Sequence, residues 1–359
     1  MGVTKWTSLL VIGSMGCTGV SKDDTTVEET GPELDSGPDT VVTTDTDLAG
    51  DSDTDPAGDT DGGTDSDVAL PDQGVVHVVL FTHIEDNTPL GALGSEISRL
   101  SYLGLRGRLI ELAELAEQRN LQWVVQPDWT FLEAALLYED SELTSTTDGK
   151  NLFLYLHDEL GVVIDPHSHE SGGYNYTDVA YLLEQLGVGG STVIGGHVWD
   201  PELAEFQEWD RFRDPVPGLH YPEAVWRGDI LIGAGTPNHY NDPLLSGVWR
   251  PQDPEHFFDD DPQGNILAVG AWHDDVAGVE ELVGLYADGT VPPGVMLTAS
   301  WNLTPTVLLS EDGPAQIDAT VLEPMAELRD QGLVVVTDFS TLTEIWASDY
   351  GSQAYVYSP

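Results

Sequence analysis

The sequence predicts an α/β fold, a (β/α) barrel of seven or eight strands, distorted or incomplete, preceded by a disordered tether. Three observations predict it. From Gly74 onward, apolar runs of strand length alternate with segments of helical period. The stretch is roughly 290 residues long, the size of a single barrel. Acidic and imidazole side chains gather directly after the predicted strands, at the ends where barrels of this kind carry their polar groups.

The first 17 residues read as a secretory signal. Lys5 gives a positive start, residues 6–15 form an apolar stretch, and small Gly16 precedes Cys17. The stretch is too short to cross a bilayer as an ordinary helix. Cys17 is the single cysteine of the chain, so the domain beyond it forms no intrachain disulfide. Its place after Gly16 resembles a bacterial lipoprotein signal. The expectation is an exported protein at the cell envelope or cell surface, held to the membrane by a lipid anchor at Cys17, or otherwise secreted.

Residues 18–73 are built from Asp, Thr, Ser, Gly and Pro, with 17 acidic residues against Lys22 alone. Such a segment buries too little apolar surface to offset its ordering entropy, and it reads as a disordered acidic tether. Alternating Asp residues such as Asp51, Asp53 and Asp55 mimic part of a calcium loop. The closing Glu and flanking amphipathic helices are missing, so a spacer is the better reading.

Residues 74–359 form the predicted domain. A continuous apolar run over 75–82 reads as a buried parallel strand. A helix over 95–119 follows, with Leu109, Leu112, Leu115 and Ala116 on its inner stripe. Then come strand 121–126, helices 129–138 and 152–160, strand 161–165, helix 177–186, and strands 192–195, 230–233 and 266–270. A helix over 276–286, strand 295–299, helix 317–330 and strand 333–337 close the set. Residues 199–221, rich in Pro, Trp and acid, read as an insertion near the barrel mouth.

Formal charge bounds the partners. The chain carries −51, with 63 acidic residues against 12 Lys and Arg. Nucleic acid and anionic membrane are repelled by such a surface, and neither is expected as a partner.

Candidate chemistry follows the strand ends. The first strand runs into His83-Ile84-Glu85-Asp86, the strand over 161–165 into His167-Ser168-His169-Glu170, and the strand over 266–270 into His273-Asp274-Asp275. Asp86, His167 and His169 offer one carboxylate and two imidazoles, a donor set suited to a catalytic divalent metal, zinc first, with positions left open for water. Glu85, beside Asp86, is the candidate general base. His197, His239 and His273 are candidates for the substrate side. Trp199, Trp209, Trp226, Trp249, Trp272 and Trp301 are either sugar-stacking rings or barrel packing.

The order of these motifs resembles the NodB-homology polysaccharide deacetylases and the wider glycoside hydrolase/deacetylase barrel superfamily. Glu85-Asp86 stands where that family carries a base acid followed by a metal-binding Asp. His167-Ser168 matches the start of its second motif, whose second ligand falls four residues on at Ser171; His169 is the nearer imidazole. Trp249-Arg250-Pro251 corresponds to its Arg-Pro loop, which implies that Arg250 holds the base carboxylate.

The resemblance implies a metal-dependent hydrolase that removes an acyl group from an amino-sugar or cell-wall polymer, with His273 protonating the leaving amine. Two other readings remain open: an inactive barrel that binds carbohydrate at the surface, and a metal-independent glycosidase using Glu85 and Asp274.

Overall fold

The computed structural model describes residues 74–197, 208–232, 244–272 and 275–359. The signal and tether expectations, and the candidates His239, His273, Asp274 and Trp199, lie outside the described residues.

In chain order the strands are β1 (Val76–Ile84), β2 (Val124–Pro127), β3 (Val163–Ile164), β4 (Val193–Ile194), β5 (Val216–Pro217), β6 (Val225–Trp226), β7 (Ile230–Ile232), β8 (Val248–Trp249), β9 (Leu267–Val269), β10 (Leu297–Asn302) and β11 (Val334–Thr337). The first five helices are α1 (Glu96–Arg119), α2 (Trp129–Tyr138), α3 (Ser141–Thr144), α4 (Leu152–Leu160) and α5 (Tyr176–Gln185). Strand and helix alternate as the sequence predicts. Helix Phe339–Asp349 and the antiparallel strand β8 were not anticipated.

β1 organises the domain. It pairs in parallel with β10 along one edge. Its other edge takes β11 against Val76–Val79 and β2 against Phe81–Ile84. β3 follows β2, again in parallel. A second sheet runs β4-β7-β9 in parallel and ends with antiparallel β8. The two sheets meet where His167 bridges Gly195, and again where the Ser300 amide donates to the Ala271 carbonyl at 2.8 Å. The described strands make an α/β body of barrel type without one continuous closed ladder.

Side-chain alternation separates two cores. Val76, Val78, Leu80 and Ile84 face the helices, packing with Leu105, Leu109 and Leu112 of α1. Val79 and Phe81 face inward, where they meet Val124, Val193, Ile230, Val269 and Phe339. α1 starts at Ser95, whose hydroxyl caps the Ser98 amide, and stops at Asn120 in the left-handed conformation. The inner apolar layer gives way to polar side chains at the C-terminal strand ends, and that transition positions the site. Among the described residues, no helix is long and apolar enough to cross a membrane.

His77, on β1, is buried, with Nε2 3.1 Å from the Tyr350 hydroxyl. Burial pushes its pKa down to about 4, partly opposed by Asp349. The unfolded chain takes up this proton below its ordinary value of 6.5, and the folded chain resists until about 4. Stability is therefore complete above pH 6.5 and falls as pH drops toward 4, by ~3 kcal/mol for this one ring. Urea unfolding at pH 7.5 and 4.5 checks it: His77→Gln is expected to shrink the acid loss by that amount. An equal loss in both proteins would contradict the assignment.

Candidate metal centre

Strand alternation builds the site's first wall. His83 follows Val79 and Phe81 on the inward face of β1, with its ring 4.7 Å from that of Phe81. Glu85, two residues on, stays on the same side just past the strand end. His167 arrives on the chain leaving β3 and is fully buried. Its amide donates to the Pro127 carbonyl at 3.3 Å, and its ring stacks on His83 at 4.3 Å between centroids.

These three residues bring ligand atoms together. One from each of His83, Glu85 and His167 lies within 4.8 Å of the others. Glu85 Oε2 is 3.3 Å from His167 Nε2 and 2.6 Å from His169 Nε2, so one carboxylate oxygen sits between two imidazoles. The donors are two nitrogens and one oxygen, a set that fits zinc or a similar divalent metal. His167 presents Nε2 to Glu85, while its Nδ1 is buried against Gly196 and makes no hydrogen bond among the described residues.

The backbone behind His167 is shaped to the ring. Gly196 has φ +79, and a Cβ added there would lie 2.2 Å from His167 Cε1 and 2.3 Å from Nδ1. A side chain at 196 thus conflicts with both the backbone conformation and the imidazole.

Electrostatics divide the histidines. Burial holds His167 well below the ordinary imidazole value, and the neighbouring His83 and His169 add to the effect, leaving a neutral ring with a lone pair to offer. His169 is 40% exposed, and its hydrogen bond to Glu85 raises its pKa, favouring the charged form. Asp128 stands behind it, fully buried. Asp128 caps α2 by accepting from the Trp129 amide at 2.5 Å and accepts from the His169 amide at 3.3 Å. Burial pushes Asp128 up to about 7 against these two bonds.

The structure groups the expected residues differently in four respects. Asp86, expected as a ligand, lies outside the three-residue group; it follows Glu85 by one position, and its carbonyl accepts from the Thr130 hydroxyl at 2.8 Å. Glu85, expected as the base, occupies the carboxylate position between the imidazoles. His169, expected as the third ligand, lies outside the three-residue group, where His83 stands instead; it still faces Glu85, whereas Ser171 accepts from the Trp129 indole at 3.1 Å. Arg250 does not hold Glu85: it forks onto Asp260 at 2.9 and 2.7 Å, with its guanidinium over the Trp346 ring.

His83 and Asp128 were missed in the sequence. The signal for His83 was the His-x-Glu spacing at a strand end, which puts both side chains on one face. For Asp128 it was an Asp at the junction of a strand and a helix, where an N-cap and a strand end coincide.

A cleft opens beside His169, lined by Ser168, Glu170, Tyr176, Gly196, His197 and Arg211. Of the expected sugar-stacking rings, Trp209, Trp249 and Trp272 are buried packing residues. Trp129 instead stacks on Tyr174 at 4.4 Å, and Tyr174 on His220 at 4.4 Å.

No family model matches the chain, and no curated protein matches it. Solved structures do resemble it. One named as a polysaccharide deacetylase of Pseudomonas aeruginosa PAO1 is 13% identical, covering 77% of this chain and 93% of that one, with a TM-score of 0.46. One named as a glycoside hydrolase/deacetylase of Parabacteroides distasonis is 12% identical, covering 79% and 73%, with a TM-score of 0.46. Puue allantoinase is 11% identical, covering 77% and 92%, with a TM-score of 0.45.

Proposed function

We propose that the protein is a metal-dependent hydrolase acting on carbohydrate, most specifically one that removes an acyl group from an amino-sugar polymer. The observation that carries it is the convergence of His83, Glu85 and His167 at the strand ends, with ligand atoms within 4.8 Å of one another. The carbohydrate class is supported by the motif order Glu85-Asp86 and His167-Ser168-His169, which resembles the NodB-homology deacetylases. An envelope location, with Cys17 as lipid anchor, belongs to the same proposal.

His83, Glu85 and His167 would hold the metal, which when bound supplies Lewis-acid polarisation of a carbonyl and acidifies water. Asp86 is the acid left over at the centre, close enough to His169 and Asp128 to act on both electrostatically, and it takes the base role expected of Glu85. His169, exposed to the cleft and hydrogen-bonded to Glu85, carries the proton for the leaving amine. In the balanced reaction, water adds its oxygen to the acyl carbon, the carbon–nitrogen bond breaks, and acid and amine separate. Asp128 fixes the backbone of His169 and so its reach into the cleft.

Metal analysis of the purified protein, followed by acyl release from N-acetylated sugar oligomers, tests the proposal. One divalent ion per chain is expected, with release lost in Asp86→Asn and His169→Ala while the metal stays bound. A chain that takes up no metal on titration would overturn the hydrolase reading in favour of an inactive carbohydrate-binding barrel. Metal bound without release from any amide or ester substrate would overturn the deacylase assignment.

A further inference from the structure

We propose that the ion pair between Glu170 and Arg211 is a latch that holds the His167–Glu170 loop, and with it His169, in working position. Arg211 acts as a positioning residue, and only its effect on turnover rests on the hydrolase reading above.

Glu170 is one of the few described non-glycine residues with positive φ, at +52. That conformation disfavours a side-chain-bearing residue, so something must hold it there. Two contacts do. The Glu170 amide donates to the Ser168 hydroxyl at 2.9 Å, and Glu170 Oε2 accepts from Arg211 Nη2 at 2.7 Å. Arg211 is itself fixed: its guanidinium lies 4.6 Å from the centroid of the Phe212 ring, and Phe212 is buried edge-on against Tyr176 and His197.

The rest of the loop is tied to the body at every step. His167 bonds to Pro127, Ser168 to Gly195 and His169 to Asp128 through their amides. Glu170 is the last residue of this run, and its tie reaches the turn Glu208–Arg213 of the insertion. A half-exposed ion pair contributes little, and the left-handed strain it opposes is of similar size. The loop therefore sits near balance, and loss of one guanidinium is enough to release it. His169 is next to the released residue and is then held by its bonds to Asp128 and Glu85 alone, whereas His167 keeps its own tie to Pro127.

Amide hydrogen exchange and kinetics on the full chain test the latch. Arg211→Gln is expected to speed exchange of the His169 and Glu170 amides by about two- to fivefold, with metal content unchanged. Adding Glu170→Gly to that variant removes the strain and is expected to restore most of the protection, because glycine accepts positive φ freely. Arg211→Lys, which keeps the charge, should fall between wild type and Arg211→Gln. In turnover, Arg211→Gln lowers kcat with little change in KM, and Glu170→Gly recovers it. Unchanged exchange in Arg211→Gln overturns the proposal. So does a raised KM with normal exchange, which would make Arg211 a substrate contact, and so does failure of Glu170→Gly to recover protection. A protein without hydrolase activity would remove the proposed function, and the exchange measurements would still decide the latch.

Discussion

Replacing His167 with Ala is expected to abolish stoichiometric metal retention, and His83→Ala to do the same, while Asp86→Ala leaves the metal bound. His167 supplies a neutral, fully buried imidazole whose Nε2 lies 3.3 Å from Glu85 Oε2, and His83 stacks directly on it. A site with three protein donors has no spare one, so each loss exceeds the ~10–100-fold that outer partners cost. Asp86 sits one position beyond Glu85, outside the cluster of ligand atoms. Metal content after dialysis, measured for the three variants side by side, checks this. Loss of metal in Asp86→Ala with retention in His83→Ala would return the ligand set to Asp86, His167 and His169.

Gly196→Ala is the second large effect expected. The added methyl would lie 2.2 Å from His167 Cε1, at a backbone angle of +79 that disfavours any Cβ. The imidazole has no room to retreat, because His83 stacks on it at 4.3 Å and it is wholly buried. Backbone strain of ~1–2 kcal/mol and overpacking of ~1–3 kcal/mol together predict a clear fall in melting temperature. Metal affinity should fall with it, since relief requires the ring to move. Thermal melting with and without added zinc measures both. A variant that melts and binds like the wild type would show that residue 196 does not brace His167.

The alternation of strands and helices was legible because 75–82 is one unbroken apolar run and 95–119 is one long helical segment. β8 was not, because two residues, Val248 and Trp249, carry no period and pair only through tertiary contact with β9. Helix Phe339–Asp349 was readable in principle: Asp338 caps it, and Phe339, Leu342 and Trp346 recur on one face. At the site, histidines at strand ends located the centre, but not which acid enters it. The adjacent pair Glu85-Asp86 suggested a base and a ligand in that order. The spacing of His83 and Glu85 carried the deciding information, since residues two apart at a strand end share a face. Arg250 illustrates the limit: its partner Asp260 lies ten residues on, across a loop whose geometry no local pattern reports.

The two-sided pairing of β1 has a consequence for biosynthesis. β1 lies near the start of the domain, yet its partners β10 and β11 lie more than two hundred residues downstream. During vectorial emergence of the chain, β2 can dock early, while the rest of β1 offers an unsatisfied apolar ribbon until the last strands appear. Closing so long a loop is entropically slow, and contacts of this separation delay the cooperative step. Nascent chains cut short before β10 are thus left with an open, sticky edge, substrates for holdase chaperones and proteases rather than partly folded domains.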